Sequence, residues 1–459
     1  MTSENEHAKI GLRVGHWSPP FMRLQVQGVW VCIGILLGVQ SASAQSAIPN
    51  SSVSVLQQDE TANAPKHPGV AKLRAQGPAG LHRFLKDHAQ ELKSTAELPA
   101  PFLRRQLDAL CQQRDCHASQ LYWHRNFAKA QAEAKTSNKP ILSLRLLGNL
   151  DEELSCANSR FFRVALYPNA EVSQYLRERF VLHWESVRPA PVMTIDFGDG
   201  RQLKRTVTGN SIHYVLDAEG RPLEALPGLY GPQAFLQQLQ RADTLWQQTV
   251  TLTGQDRQQA LQTYHQQRLE TIQADWVQDL QTAGIKDVPV LRKLPDGTTP
   301  TAVDAAPIAI TKSLVEIPLV SSSMNLSILA NQNRTQLSEA TQPQTWGKLA
   351  AFQADRARLD QNSKVLMQSK NNAYRSPEQL AKTVQSFEQA MAIDTVRNEY
   401  LLHSRLHQWF VERNQTESIS QLNEKVYAEL FLTPSSDPWL GLVSPDIYSG
   451  IEGDGIELQ

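Results

Sequence analysis

Cys156-Ala157-Asn158-Ser159, followed by Arg160-Phe161-Phe162-Arg163-Val164-Ala165-Leu166-Tyr167-Pro168-Asn169-Ala170-Glu171-Val172, is the stretch that decides the fold of the first half of this 459-residue chain. Upstream, Phe127 to Lys135 reads as an amphipathic helix and Ser137-Asn138-Lys139-Pro140 as a turn; Ile141 to Leu147 then reads as a buried strand. This order places Cys156 at the head of the next helix. A thiol there faces unpaired backbone N–H groups and the positive end of the helix dipole, which favour the thiolate. Arg160 and Arg163, four and seven residues on, are expected to share its face, while Asp151, Glu152 and Glu153 oppose them. Exposed charges are screened and the helix terminus is fixed, so the expected net effect is a modest lowering of the Cys156 pKa.

Without a gap, Ser159 to Val172 resembles the pattern C-K-x-M-E-x-x-V-F-x-D-P-E-V of secreted thioredoxin-like proteins. In that register Cys156 stands at the first cysteine of the redox C-x-x-C and Ser159 at the second. The resemblance continues through Val172 to Leu176 and Phe180-Val181-Leu182. It then runs through Ile212-His213-Tyr214-Val215-Leu216-Asp217-Ala218-Glu219-Gly220-Arg221-Pro222-Leu223, similar to the strand, Asp-x-x-Gly turn and strand that close the family's sheet. A last helix is expected from Pro232 to Leu245. Met193 to Val207 alternates around Asp199-Gly200 and signals an inserted hairpin. The resemblance covers about a quarter of the chain and implies an α/β domain over 119–246, with a central mixed sheet flanked by helices.

Two departures bear on chemistry. The family's cis-proline position is Ser211, and without proline a cis peptide costs several kcal/mol. The aromatic residue before the first cysteine is replaced by Ser155. The resemblance implies that Ser159 donates a hydrogen bond to the Cys156 thiolate, as the second cysteine does in the family. Disulfide exchange needs a second thiol to release the mixed disulfide. A C-x-x-S site therefore suits monothiol exchange through Cys156, with Arg160 and Ser211 in support, or else a redox-inactive thioredoxin-fold scaffold that binds a protein partner.

Gly28 to Val39 is an apolar run of twelve followed by Ala42-Ser43-Ala44, the layout of a signal peptide spanning 1–44. The segment ahead of it is long and carries Glu4 and Glu6, whereas Met22-Arg23-Leu24 begins a compact, basic signal, so Met22 is the expected start, with Met1 the other; an uncleaved amphipathic anchor is the alternative. Cys32 lacks a small-residue lipidation context. The expectation is export, periplasmic or extracellular, with no stable membrane span after cleavage. Cleavage leaves Cys111, Cys116 and Cys156, an odd number, which implies one disulfide and a free thiol or a bridge between chains. Cys111–Cys116 is the first choice; Cys116–Cys156 would supply a resolving thiol from outside the motif. Cys111-x-x-x-x-Cys116-His117 also matches a long variant of the covalent haem motif, and with His124 a loose metal set. A disulfide followed by an exposed histidine is the plainer reading. The sequence reads as having no paired-carboxylate, Ser-His-Asp, zinc-helix or phosphate-loop motif, so no cofactor or metal is expected; His183 and His213 fall in strand patterns.

A net charge of −1, evenly mixed, argues against nucleic acid as the partner. Around the central domain, 45–69 reads as a disordered tether rich in Ser, Asn, Gln and Ala. Residues 70–118 read as a helical extension carrying Leu81, Phe84, Leu103, Leu107 and Leu110. A Gln-rich helical segment follows over 247–283. Residues 284–343 read as a linker with two β-like runs, Ile308 to Thr311 and Val315 to Val320. A mainly α-helical C-terminal domain over 344–459 puts Leu349, Phe352 and Leu359 on one helix and Leu380, Val384, Phe387 and Met391 on the next. It ends on an extended turn that Trp439 anchors.

Overall fold

Ile141–Leu147 forms β2, and all seven of its residues are buried. A strand covered on both faces favours apolar residues on both, which suits its leucine-rich sequence; the two polar residues within it are partnered, Ser143 with His183 and Arg145 with Glu185. The computed structural model describes residues 68–92, 98–286, 299–323, 343–370, 376–412, 418–443 and the single positions 450, 451 and 456. The signal peptide over 1–44 and the tether as far as 67 lie outside the described residues.

Around β2 the sheet is built from β1 (Trp123–His124), β3 (Val181–Arg188), β6 (Ile212–Leu216) and β7 (Pro222–Pro227), in the order β1-β3-β2-β6-β7. β1 and β2 run parallel to β3, with Ile141 opposite Val181. β2 runs antiparallel to β6, with Ile141 opposite Leu216, and β6 antiparallel to β7. β4 (Val192–Asp196) and β5 (Gln202–Thr206) form the separate hairpin that the sequence pattern signals.

Local chemistry places the helices. Asn126 caps Phe127–Ser137 by accepting from Lys129 N, and Asn138 ends that helix in the left-handed region at φ 50°. Asn169 caps Ala170–Arg179 the same way, accepting from Val172 N. Asp217 organises the β6–β7 turn by accepting from Glu219 N and Arg221 N, and Gly220 takes φ 86° there. The closing helix runs Pro232–Thr249, and Gly254–Thr282 follows it.

The N-terminal helices Pro68–Arg74, Pro78–Asp87 and Pro101–Cys111 gather Val70, Leu81, Phe84, Leu103, Leu107 and Leu110 into a small cluster of their own. Its join to the sheet is made by tryptophans. Trp123 Nε1 donates to Gln113 Oε1 at 2.7 Å and Trp184 Nε1 to Gln112 O at 2.7 Å. Each ring buries on the order of 200 Å², about 5 kcal/mol of gross apolar transfer, with its one polar atom satisfied.

The main core runs as one cluster from Leu121, just ahead of β1, to Leu440 near the C-terminus. The described residues from Pro68 onward belong to one compact unit, in which the C-terminal helices pack on the sheet and share its core.

Three expectations for the second half need correction. Within 299–323 the chain is helical: Thr301 and Asp304 make a capping box for Ala302–Ala305, and Ile310–Ser323 is a helix with Pro318 inside it. Val315 to Val320 is therefore not a strand. The buried face of this helix carries Lys312, Glu316 and Val320 at four-residue spacing, whereas Leu314, Val315 and Ile317 are exposed. In Pro343–Phe352 the helix stops at Phe352, and a 3₁₀ turn over Ala354–Ala357 separates it from Leu359. Near the C-terminus Trp439 is 40% exposed and Leu440 4%, so leucine is the anchor. Pro377–Arg397 forms as expected, capped by Ser376 on Gln379 N. Among the described residues no helix is long and apolar enough to cross a membrane.

Candidate functional site

Cys156 is the N-cap of Ala157–Phe161, a helix of one turn that passes into a π-helical turn over Phe162–Leu166. Its N–H donates to Leu147 O at 3.1 Å, tying the thiol to the C-terminal end of β2. Cys156 is the free cysteine of the described residues, and it is fully buried. Its Sγ lies 3.0 Å from Ser211 Oγ, on the loop leading into β6. The described peptides are all trans, including that at Ser211.

Ser159 does not serve the thiol. Its hydroxyl donates to Cys156 O at 2.9 Å and shares a hydrogen bond with the Ser155 hydroxyl at 2.7 Å, and so closes the turn on itself. A residue three positions after the N-cap reaches back to the backbone more readily than to a side chain pointing away. Arg160 Nη2 donates to Thr206 Oγ1 at 3.0 Å, and Thr206 Oγ1 donates to Ser155 O at 3.0 Å. Burial holds the Arg160 guanidinium below its usual range, with the neighbouring Cys156 and Glu316 opposing that shift. Arg163 turns away to the carbonyls of Glu152 and Glu153, at 2.8 and 3.3 Å.

The loop opposite the thiol is held from both sides. Asn158 Nδ2 donates to Asn210 Oδ1 at 3.0 Å, and the Tyr427 hydroxyl donates to Asn210 O at 2.9 Å. Thr208, at φ 60°, gives its N–H to Glu316 Oε2 at 2.9 Å. Lys312 Nζ stands 3.7 Å from the same carboxylate, with both side chains buried. A C-terminal tyrosine and a helix from the presumed linker thus complete the wall around Cys156. None of these partners carries a local motif; the one readable sign is the Lys312–Glu316 spacing of four in an otherwise apolar run.

Cys111 and Cys116 are joined in a disulfide with Cα atoms 6.2 Å apart. With both sulfurs bridged, neither is left for a haem thioether or a metal, and Cys116 does not reach Cys156. His117 is half-buried, and burial lowers its pKa to about 4. His124 pairs with Glu133 at 2.9 Å. His183 and His213 lie on β3 and β6, bonded to Ser143 and Tyr167.

Sequence reading missed a second group. His403 and His407, one turn apart, meet Glu224 of β7 in the buried layer between sheet and C-terminal helices. The i, i+4 histidine spacing was the available signal.

The chain matches no family model, no curated protein and no solved structure.

Proposed function

We propose that residues 119–246 are a thioredoxin-like domain whose thiol has become structural, serving as a redox-inactive, exported scaffold that carries the helical C-terminal region. The observation that carries this reading is the enclosure of Cys156: fully buried, 3.0 Å from Ser211 Oγ and, among the described residues, without a second cysteine beside it. Exchange chemistry needs an accessible thiolate that can align with a disulfide. The strand order β1-β3-β2-β6-β7, the thiol at a helix start directly after β2, and the hairpin inserted between β3 and β6 support the thioredoxin-like assignment. Export is supported by the Gly28 to Val39 run ahead of Ala42-Ser43-Ala44 and by the Cys111–Cys116 bridge. The second reading, monothiol exchange with a thiol substrate, is favoured by one feature, the N-cap position of Cys156.

Alkylation of the native protein across pH separates the two. On the scaffold reading Cys156 labels only as fast as the protein opens, and urea accelerates it steeply. Rapid labelling with a midpoint well below about 8.5 would instead establish exchange chemistry. Non-reducing peptide mapping of the same samples should recover Cys111 and Cys116 together.

A further inference from the structure

Glu224, His403 and His407 come from β7, from the end of a π-helical turn over Asn398–His403 and from the helix Ser404–Glu412. Glu224 is 2% exposed and both imidazoles are fully buried. One ligand atom from each lies within 4.8 Å of the other two, and Glu224 Oε1 is already 3.1 Å from His403 Nε2. Ligand atoms around a tetrahedral zinc stand on the order of 3.3 Å apart, given bonds of about 2.0–2.1 Å. Only small side-chain movements separate the trio from that arrangement.

The surroundings match what a metal-binding imidazole requires. Metal-bound histidines hand their other ring N–H to an acceptor, which fixes the tautomer. His403 Nδ1 faces Glu399 Oε2 at 3.0 Å, and Arg268 and Gln238 hold that carboxylate at 2.8 Å each. His407 Nδ1 faces His265 Nδ1 at 2.9 Å. With Nδ1 engaged in both rings, the Nε2 atoms are left for a ligand. His403 Nε2 then meets the Glu224 carboxylate, and His407 Nε2 is buried with no hydrogen-bond partner among the described residues. Glu224 is itself positioned by the Tyr264 hydroxyl at 2.8 Å and by Ala225 N at 2.9 Å. A proton shared between His403 and its carboxylates would satisfy His403; it does nothing for His407 Nε2.

We propose that Glu224, His403 and His407 bind one divalent transition-metal ion, zinc foremost, through one carboxylate oxygen and two imidazole nitrogens. Two nitrogens and one oxygen suit zinc and its first-row neighbours better than calcium or magnesium, which prefer all-oxygen sets. Three protein ligands leave a fourth position for water. The way in is a cavity of about 560 Å³ lined by Arg257, Leu261, His265 and Phe410. His265, stacked on Phe410 with ring centroids 4.4 Å apart, is the layer between this cavity and His407. This site is independent of Cys156 and stands whether or not the thiol is redox-active.

The test uses the full chain, stripped with chelator, dialysed against zinc chloride or cobalt chloride, and assayed for bound metal. The expected result is about one ion per chain, with the visible bands of tetrahedral cobalt. His407→Gln should weaken binding at least tenfold, and His265→Phe, which keeps a ring there but removes the partner of His407 Nδ1, by roughly ten- to a hundredfold. X-ray absorption of the zinc-loaded wild type needs no variant to fold; it should find two imidazoles with further nitrogen or oxygen neighbours and no sulfur. A wild type that holds no metal, an affinity unchanged in folded His407→Gln, or sulfur in the zinc shell would each overturn the proposal.

Discussion

Tyr427 donates its hydroxyl to the Asn210 carbonyl at 2.9 Å, joining positions 217 residues apart on the wall that encloses Cys156. Tyr427 is 1% exposed, so its oxygen has no solvent to fall back on. Tyr427→Phe leaves the buried Asn210 carbonyl unpaired, at a cost of about 1–3 kcal/mol. Urea melts should register that loss, and native alkylation of Cys156 should speed up by roughly tenfold for each 1.4 kcal/mol. Unchanged labelling in a destabilised variant would mean that this contact does not guard the thiol.

At Gly231 the sheet domain and the C-terminal residues meet backbone to backbone. A methyl group there would stand 2.4 Å from Arg356 O and 2.6 Å from Ala357 Cα, both backbone atoms that cannot rotate away. Gly231 N also donates to Thr395 Oγ1 at 2.8 Å. Gly231→Ala should cost about 1–3 kcal/mol, the range for overpacking. Thermal melting checks this; a variant as stable as the parent would show that the two layers separate without strain.

His213 predicts an acid limb in the stability curve. Burial lowers its pKa to about 3 in the folded chain, against about 6.5 unfolded. Between those values the unfolded chain binds a proton that the folded chain refuses, so stability falls as pH drops through this window. Among the described residues Tyr167 is its one hydrogen-bond partner, at 2.7 Å. The pair Tyr167→Phe with His213→Leu removes both polar atoms together, and denaturant midpoints from about pH 7 to 4 should then decline less steeply than in the parent. An equal decline would assign the acid limb to other groups.

Asp108 works in the opposite direction. Burial raises its pKa to about 6, and the neighbouring Asp115 adds to this, while the Cys116 N–H at 2.9 Å and the charges of Arg114 and Arg163 oppose it. The folded chain therefore holds a proton that the unfolded chain has lost above about pH 4, and stability falls as pH rises towards 6. Asp108→Asn keeps an acceptor for Cys116 N without the buried charge. At neutral pH it should gain on the order of 2 kcal/mol, and a loss in the same melts would show that the Arg114 pairing outweighs burial.

Legibility followed the range of the interaction. Phe127–Ser137, β2 and the β6–β7 turn were readable because Asn126, Pro140, Asp217 and Gly220 act on their immediate neighbours. Cys156 at a helix start was readable for the same reason. The helix Ile310–Ser323 was not, since its buried face is the ion pair Lys312–Glu316, while the exposed Leu314, Val315 and Ile317 imitate a strand. The wall around the thiol depends on Tyr427 and Glu316, which only the finished fold brings near Asn210 and Thr208. His403 and His407 carried their spacing in plain view; Glu224, needed to give it meaning, lies 179 residues earlier.

β7 is the last strand of its sheet, all six residues are buried, and part of what buries it arrives through His403 and Asn398. Synthesis runs from the N-terminus, so β7 leaves the ribosome with the helix Pro232–Thr249 close behind but long before the residues of Asn398–His403 that also pack on it. Until they follow, the strand offers unpaired N–H and C=O groups along an apolar border, the template on which strands from other chains add. Pro222 and Pro227, one at each end and without donors, shorten that template. The nascent chain is thus most open to misassembly after its sheet is complete and before its last hundred residues exist, which sets the interval in which a chaperone has most to do.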